Sequence, residues 1–566
     1  MAEGIFDKEV SASSHDLIYH YIIQQQKEVK PMLQDEYLKK IQKLLSDYNK
    51  DNEFQTYLQA HKDICIIMEE LNLDPAVATL KSFYCPVKHG DFRDPICMLR
   101  SLILMTILKI KGITEWVRQT RTYALLAILA GFEPDNTPGI GTYYDFLKRI
   151  YDGPYQKPCQ HICKKSDTLT ALHKRNIKQE AEDKKNSFEP YNSQSKQLSE
   201  HLLANSDKPR TNDYSKILED LLVKLGIMPT IEQGVLDTEN ITASGDGSIL
   251  KTNASGSGKP ACSCRKEGNY KCNCPKYYTS PTAKWCYNHH TGSFEFGDRY
   301  YHIVTAQNGH DIPLHVSMPG GNESDYTLSI DAVDSLLKTI RENGINMTIK
   351  YFAGDGHHDS QAHYIYFKEK NIVPVIPLSE NTKQVITHLE KVTLDDDGTP
   401  LCPAGMKMRY HGFNQKKQAH TYCCPVKRST HKDGKYVYVT HLDECPNKED
   451  CRPDTKMAPV IYLKLDTDPR LFPPLSRDSK KFKDLMKERT ASERVNSVID
   501  SYHLDNACRN AVYGLIRLTF INIAIHARIR YEELLKNSSK EELFVKAMSH
   551  QDIKPEQPRL NNKKLT

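Results

Sequence analysis

The stretch Met347-Thr348-Ile349-Lys350-Tyr351-Phe352-Ala353-Gly354-Asp355 decides how this chain is read. It is an apolar, β-branched and aromatic run that ends on a glycine and an aspartate, the signature of a strand delivering a carboxylate to a sheet edge. Upstream, Ile241-Thr242-Ala243-Ser244-Gly245-Asp246 ends the same way. A third acid, Glu493, lies in Arg489-Thr490-Ala491-Ser492-Glu493-Arg494-Val495-Asn496, within a stretch of helical spacing. Two aspartates at strand ends and a glutamate on a late helix can converge on divalent cations. Two ions about 3.5–4 Å apart suit phosphoryl transfer on nucleic acid, where they clamp the attacking and leaving oxygens. Hard carboxylate oxygens favour Mg²⁺ or Mn²⁺.

Working outward, strands are expected at 241–246, 299–306, 311–318, 347–354 and 372–376, with helices at about 326–342 and 359–370. The order β-β-β-α-β-α-β is that of a ribonuclease-H-like sheet, in which the first and fourth strands are central neighbours. That would set Asp246 beside Asp355 although 109 positions separate them. Asp359 reads as the N-cap of the helix that follows. The fold class is therefore α/β, preceded by an all-α region and interrupted at 380–465 by a β-rich insertion marked by glycines, prolines and alternating runs such as Tyr436 to Thr440. The expected divisions are a helical region at 1–90, a more apolar helical domain at 91–152, a polar lysine-rich linker at 153–238, the catalytic domain at 239–379 and 466–540, and a polar tail at 541–566.

Length and composition set limits on this reading. A chain of 566 residues exceeds one core. A mean hydropathy of -0.60 and a net charge of +5 permit nucleic-acid binding without demanding it. No uncharged apolar run of 18 residues occurs, and the N-terminal residues show no secretory pattern, so neither a membrane span nor export is expected and the cytoplasm is the expected compartment. The 16 cysteines then read as thiols or metal ligands rather than disulfides.

These residues resemble the DDE transposases of bacterial insertion sequences, in the branch whose ribonuclease-H-like domain carries a β-rich insertion before the catalytic glutamate. The resemblance covers roughly residues 90–150 and 240–530. Arg93 to Arg149 is similar to the family's N-terminal helical domain, and Pro319 to Asp325 to its link from third strand to helix. Gly354 to Ser360 looks like the second-aspartate motif, which often has tyrosine where His358 stands. The third motif is matched by Arg489 and Glu493; Met486 and Asp500 replace its tyrosine and lysine. The resemblance implies a transposase in which Asp246, Asp355 and Glu493 hold two Mg²⁺ ions. It implies that Arg489 grips a DNA phosphate and that residues 91–152 bind terminal inverted repeats. A homodimer would hold two ends and the target DNA together, associated with the nucleoid. Two other readings stay open: a nuclease that cuts without joining, and a transposase-derived DNA-binding protein without catalysis.

Two cysteine groups are candidate zinc sites. In Cys262-x-Cys264 and Cys272-x-Cys274 each pair faces one side of an extended segment, so four thiolates could meet at one Zn²⁺. The second group is Cys402, Cys423, Cys445 and Cys451 inside the insertion, where a metal could staple a small core.

Overall fold

A computed structural model describes residues 30–84, 93–155, 173–175 and 191–548, apart from 273, 275, 289–290, 322–324, 380–391, 396–397, 441–444, 446–450, 452–459 and 466–468. Cys159, His161 and Cys163, a weak metal-like fragment in the sequence, lie outside the described residues. The chain divides into two units, residues 1–168 with 531–566, and residues 169–530.

In the larger unit the elements are helix α1 (Tyr214–Leu222), strands β1 (Ile241–Lys251), β2 (Lys284–Asn288), β3 (Ser293–Gln307) and β4 (His310–Gly320), helix α2 (Asp325–Glu342), strand β5 (Ile349–Ala353), helix α3 (Gln361–Glu369) and strand β6 (Val373–Val375). After these come the insertion strands β7 (Arg409–Asn414), β8 (Ala419–Cys423) and β9 (Val460–Lys464), then helices α4 (Lys480–Glu488), α5 (Thr490–Asp500) and α6 (Ala511–Asn537), of which the residues up to Arg530 belong to this unit.

The central sheet runs β4-β3-β1-β5-β6, with β3 antiparallel to both its neighbours and β5 parallel to β1 and β6. This is the ribonuclease-H-like order. The first strand is longer than expected because it keeps its antiparallel partner as far as Lys251 opposite Gly297. The short strand β2 adds to the early part of β3, extending the sheet beyond that order.

Helix α6 is long and apolar enough to cross a membrane, yet 78% of its apolar window is buried inside the protein. Two of its buried polar side chains find partners there. His526 Nε2 donates to the Pro313 carbonyl at 2.8 Å, its Nδ1 meets Thr230 Oγ1 at 2.8 Å, and Asn522 pairs with His302 at 3.1 Å.

The linker expected at 153–238 is a folded part of this unit over 191–232. Ile217, Leu218, Leu221, Leu222, Val223, Leu225 and Ile227 are all buried, enough apolar surface to dock α1 and the turns after it. Buried Glu219 fixes the docking by accepting from Ser335 at 2.8 Å and Thr339 at 2.7 Å on α2, and pairs with Arg210. Sequence polarity misled because the lysine-rich stretch and this helix were averaged together.

The insertion has its own core. Strands β7, β8 and β9 form an antiparallel sheet over Leu394, Cys402, Met408, Tyr422, Leu463 and Phe472. Buried Asp359 does not cap α3; Ser360 holds that position. Asp359 instead accepts from Arg470 at 3.0 and 3.2 Å and from the Ser379 backbone at 2.9 Å, tying the returning insertion to the catalytic fold.

In the smaller unit, Asp94 caps the helix Pro95–Ile107 through the Ile96 and Cys97 backbone groups, and every residue of that helix is buried. Its Arg100 donates to Gln34 at 2.8 Å and the Leu71 carbonyl at 3.0 Å, and sits 3.5 Å over the Tyr37 ring. Residues 30–84 and 93–155 therefore share one core rather than forming separate domains. Part of the expected tail joins them: Lys540–Met548 is a helix that buries Leu543, Phe544 and Ala547.

Candidate active site

The parallel pairing of β1 with β5 ends at Ser244 opposite Ala353. Asp246 and Asp355 each lie two residues beyond that last pair, so the register alone sets the two carboxylates side by side. Close approach explains the glycines around them. A β-carbon on Gly247 would lie 2.6 Å from Asp325 Oδ1, and one on Gly354 would lie 2.8 Å from the His358 ring. Either would push a neighbour out of the site.

Asp355 accepts from the His357 backbone at 2.9 Å and meets His358 Nδ1 at 2.7 Å. Burial pushes its carboxyl up, but the hydrogen bond from His358 and the two histidine charges outweigh this and hold it at about 2. His358 is fully buried, and its other nitrogen meets the Tyr301 hydroxyl at 2.8 Å. Burial alone would lower the His358 pKa; its bond to Asp355 and the carboxylates of Asp325, Asp355 and Asp246 raise it.

Asp246 behaves differently. Burial first, and then the Asp325 and Asp355 carboxylates, push it up to about 6, against the opposing charges of His358 and Arg489. It accepts from Asn496 Nδ2 on α5 at 3.0 Å. Helix α5 is pinned across the sheet by Arg494, whose guanidinium holds both oxygens of Asp311 at 2.6 Å. Glu493 lies three residues before Asn496, half-exposed, with its carboxylate 2.7 Å from Arg489 Nη2. Met486, which stands where the motif has tyrosine, packs instead against the apolar cluster of Ala353, Val375, Phe482 and Leu485.

Asp246, Asp355 and Glu493 do not gather their oxygens within 4.8 Å of one another; among the described residues only the first cysteine group does that. This is compatible with two ions, which spread their outer ligands over about 8 Å: one intermetal distance plus two metal–oxygen bonds. The donors fit a divalent cation. The site has a surplus of carboxylates, and Asp325 leaves its buried Oδ1 without a hydrogen-bond partner while its Oδ2 takes Arg299 at 2.8 Å.

Residues 246–521 match the family described as Transposase DDE domain. This chain carries a transposase DDE domain. No curated protein matches the sequence. The matched segment of the DDE domain begins at Asp246 and runs past Glu493, so it contains all three candidate acids. Such domains imply metal-dependent chemistry on DNA.

Sequence reading passed over three residues of the site. Asp325 opens a helix soon after a strand, and that position is the signal by which its carboxylate can be found. Asn496 follows Glu493 by about one helical turn, so its place on the same helix face was readable from spacing. Tyr301 had no signal, since its role depends on His358 lying across β5.

The first cysteine group is gathered. Cys262, Cys264, Cys272 and Cys274 bring their sulfurs within 4.8 Å of one another, with Cys262 to Cys272 at 3.6 Å and Cys264 to Cys274 at 3.7 Å. A tetrahedron with Zn–S bonds of about 2.3 Å has an edge of about 3.8 Å, whereas a disulfide needs about 2.05 Å. The second group is not gathered. Cys402 is buried in the insertion core, and Cys402, Cys423, Cys445 and Cys451 form no ligand group among the described residues. That core already holds the insertion together, so the reason for expecting a staple there disappears. Cys286 is also excluded from the gathered group, buried against the Gly321 carbonyl.

Proposed function

We propose that the chain is a transposase that binds the terminal inverted repeats of an insertion sequence, cleaves there and joins the freed 3′ end to target DNA. The observation that carries this reading is the register that sets Asp246 beside Asp355, with Asn496 of α5, about one helical turn after Glu493, donating to Asp246. Asp246, Asp355 and Glu493 would hold two Mg²⁺ or Mn²⁺ ions. When bound, these supply charge neutralisation and a nucleophile deprotonated at neutral pH.

The protein's own part is positioning. His358 orients the Asp355 carboxylate and is itself steered by Tyr301. Asn496 donates to Oδ2 of Asp246 and the Gly247 backbone to its Oδ1, so both oxygens are oriented by the protein. Arg489 is held by Glu493 near Asp246, where its planar fork suits a backbone phosphate. End binding would come from the helical unit containing residues 93–155, two copies of the chain holding two ends, in the cytoplasm of a bacterium. The four gathered cysteines would hold a structural Zn²⁺, which their sulfur spacing supports.

The test uses DNA flanking the gene. Duplexes bearing any inverted repeats found there are incubated with the full chain, Mg²⁺ and a target plasmid. Cleavage followed by joined product supports the reading. Cleavage with no joining favours a nuclease, and binding with no cleavage in Mg²⁺ or Mn²⁺ favours a DNA-binding protein.

A further inference from the structure

Between β1, which carries Asp246, and its sheet neighbour β3, the chain makes an excursion that nothing in the catalytic reading uses. Residues 251–297 contain seven Lys or Arg and two Glu, a net charge equal to the +5 of the whole 566-residue chain. The excursion holds the gathered cysteines and ends in the hairpin of β2 with the start of β3. Trp285 pairs with Phe296 across this hairpin and Tyr287 with Phe294, so strand alternation places all four rings on one face. Burying such rings in a core would be the ordinary outcome, but Trp285 is 60% exposed and Phe294 65%. Tyr270, in the cysteine loop, is 75% exposed. Cys286 and Glu295 take the opposite face, where Glu295 pairs with Lys251 at 2.8 Å. The loop backbone closes over one end of the aromatic face, since a β-carbon on Gly256 would lie 3.3 Å from Trp285 Nε1 and 3.4 Å from the Phe296 ring. Along β3, Phe296 is six residues from His302, the partner of Asp246, or about 20 Å.

We propose that this hairpin face is a stacking platform for unpaired bases of the DNA strand running to the active site, with the surrounding Lys and Arg holding its phosphates. The assignment rests on the DDE domain acting on DNA. Exposed rings stack on bases only where the duplex is open, and a basic surround with aromatic rings is the composition that binds single strands. A second copy of the chain is disfavoured as occupant. A two-fold contact would place the same patch on itself and bring its excess of Lys and Arg together.

The chain has two tryptophans. Trp116 is fully buried, with its indole donating to Ser101, so Trp285 reports on the platform. The full-length protein, free of Mg²⁺, is titrated with an oligothymidine of about a dozen nucleotides, within the usual site size of such surfaces. Tryptophan emission and fluorescence anisotropy of the labelled oligonucleotide are followed together. The expected result is quenching at saturation that is lost in Trp285→Phe. Phe294→Ala should weaken oligothymidine binding about tenfold, from the loss of one stacked base. Binding of a blunt duplex by Phe294→Ala should stay unchanged, which also shows that the variant is folded. Oligothymidine binding with unchanged emission and with wild-type affinity in Phe294→Ala would overturn the proposal. Emission that changes with protein concentration in the absence of DNA would overturn it in favour of self-association. These readings do not depend on cleavage, so they stand apart from failure of the transposase reading, which shows in the joining assay.

Discussion

The carboxylate centre and the first cysteine group both gather ligand atoms, by opposite means. Asp246 and Asp355 are placed by strand register, and the sheet beneath them stands whether or not a cation is present. Cys262, Cys264, Cys272 and Cys274 sit in a loop supported by two- and three-residue strands, with exposed or half-exposed neighbours and few apolar side chains. The sheet can hold like charges together against their repulsion, so its centre is strained and ready for a cation. The loop has no such reserve, and its thiols come together only if something holds them. Loss of metal should therefore abolish chemistry at the first place and structure at the second.

The largest effect should come from the carboxylates. Asp246→Asn, Asp355→Asn and Glu493→Gln should each cut strand cleavage by on the order of a thousandfold or more, the worth of several kcal/mol of lost charge stabilisation. Gel-shift affinity for the DNA ends and far-ultraviolet circular dichroism should not change. Near-wild-type cleavage by any one of them would remove that residue from the centre.

Next comes zinc. Freshly purified reduced protein should contain one equivalent of zinc per chain by elemental analysis, and Cys272→Ser should lose it. The same variant should open residues 259–278 to protease while the central sheet persists, because a structural ion supplies folding energy to what it ties. Cys445→Ser in the insertion should keep the full equivalent. Zinc retained by Cys272→Ser and lost by Cys445→Ser would invert the contrast between the two cysteine groups.

Much of the first region was legible because strand patterning is local. The two Gly-Asp endings and the order of elements placed Asp246 beside Asp355 without coordinates. Glu493 and Arg489 were found by resemblance to the family's third motif, and their i,i+4 spacing already allowed the helix pair that they form. The zinc contrast was not legible. Both groups offer four candidate cysteines, closely paired in the first and spread from Cys402 to Cys451 in the second, but only packing shows that Leu394, Met408, Tyr422, Leu463 and Phe472 give the second region a core that the first lacks. The docking of α1 and the ion pair of Asp359 with Arg470 were missed for the same reason, as long-range contacts leave no periodic trace.

Arg489 gives a smaller effect that tests how the sheet-built centre meets DNA. Arg489→Lys keeps the charge and loses the fork, so cleavage should fall by about tenfold, the scale of one charged hydrogen bond. Arg489→Ala should fall further, with little loss of end binding. Cleavage at the wild-type rate in Arg489→Ala would leave this residue as only the helix partner of Glu493.

The smallest effect, and the most direct measure of strain at the centre, is in stability. Asp246 titrates at about 6 in the folded protein, against about 3.9 in an unfolded chain. Between those values the folded state holds the extra proton, so this group's contribution to stability falls as pH rises from about 4 to about 6 and stays low above. Asp355 has the opposite sign. Held at about 2, it stabilises the fold above about pH 4 and loses that contribution as pH falls through 2. At pH 7.5 without divalent cations, Asp246→Asn should thus raise the calorimetric melting temperature, by on the order of 2–4 °C, while abolishing cleavage. At pH 4.5 the gain should shrink, because the wild-type carboxyl is by then largely neutral. Mg²⁺ at pH 7.5 should raise the melting temperature of the wild type more than that of the variant, since the cation answers the charge that the variant lacks. A lower melting temperature for Asp246→Asn at pH 7.5, or a gain that ignores both pH and Mg²⁺, would mean that the sheet holds no excess charge at this position.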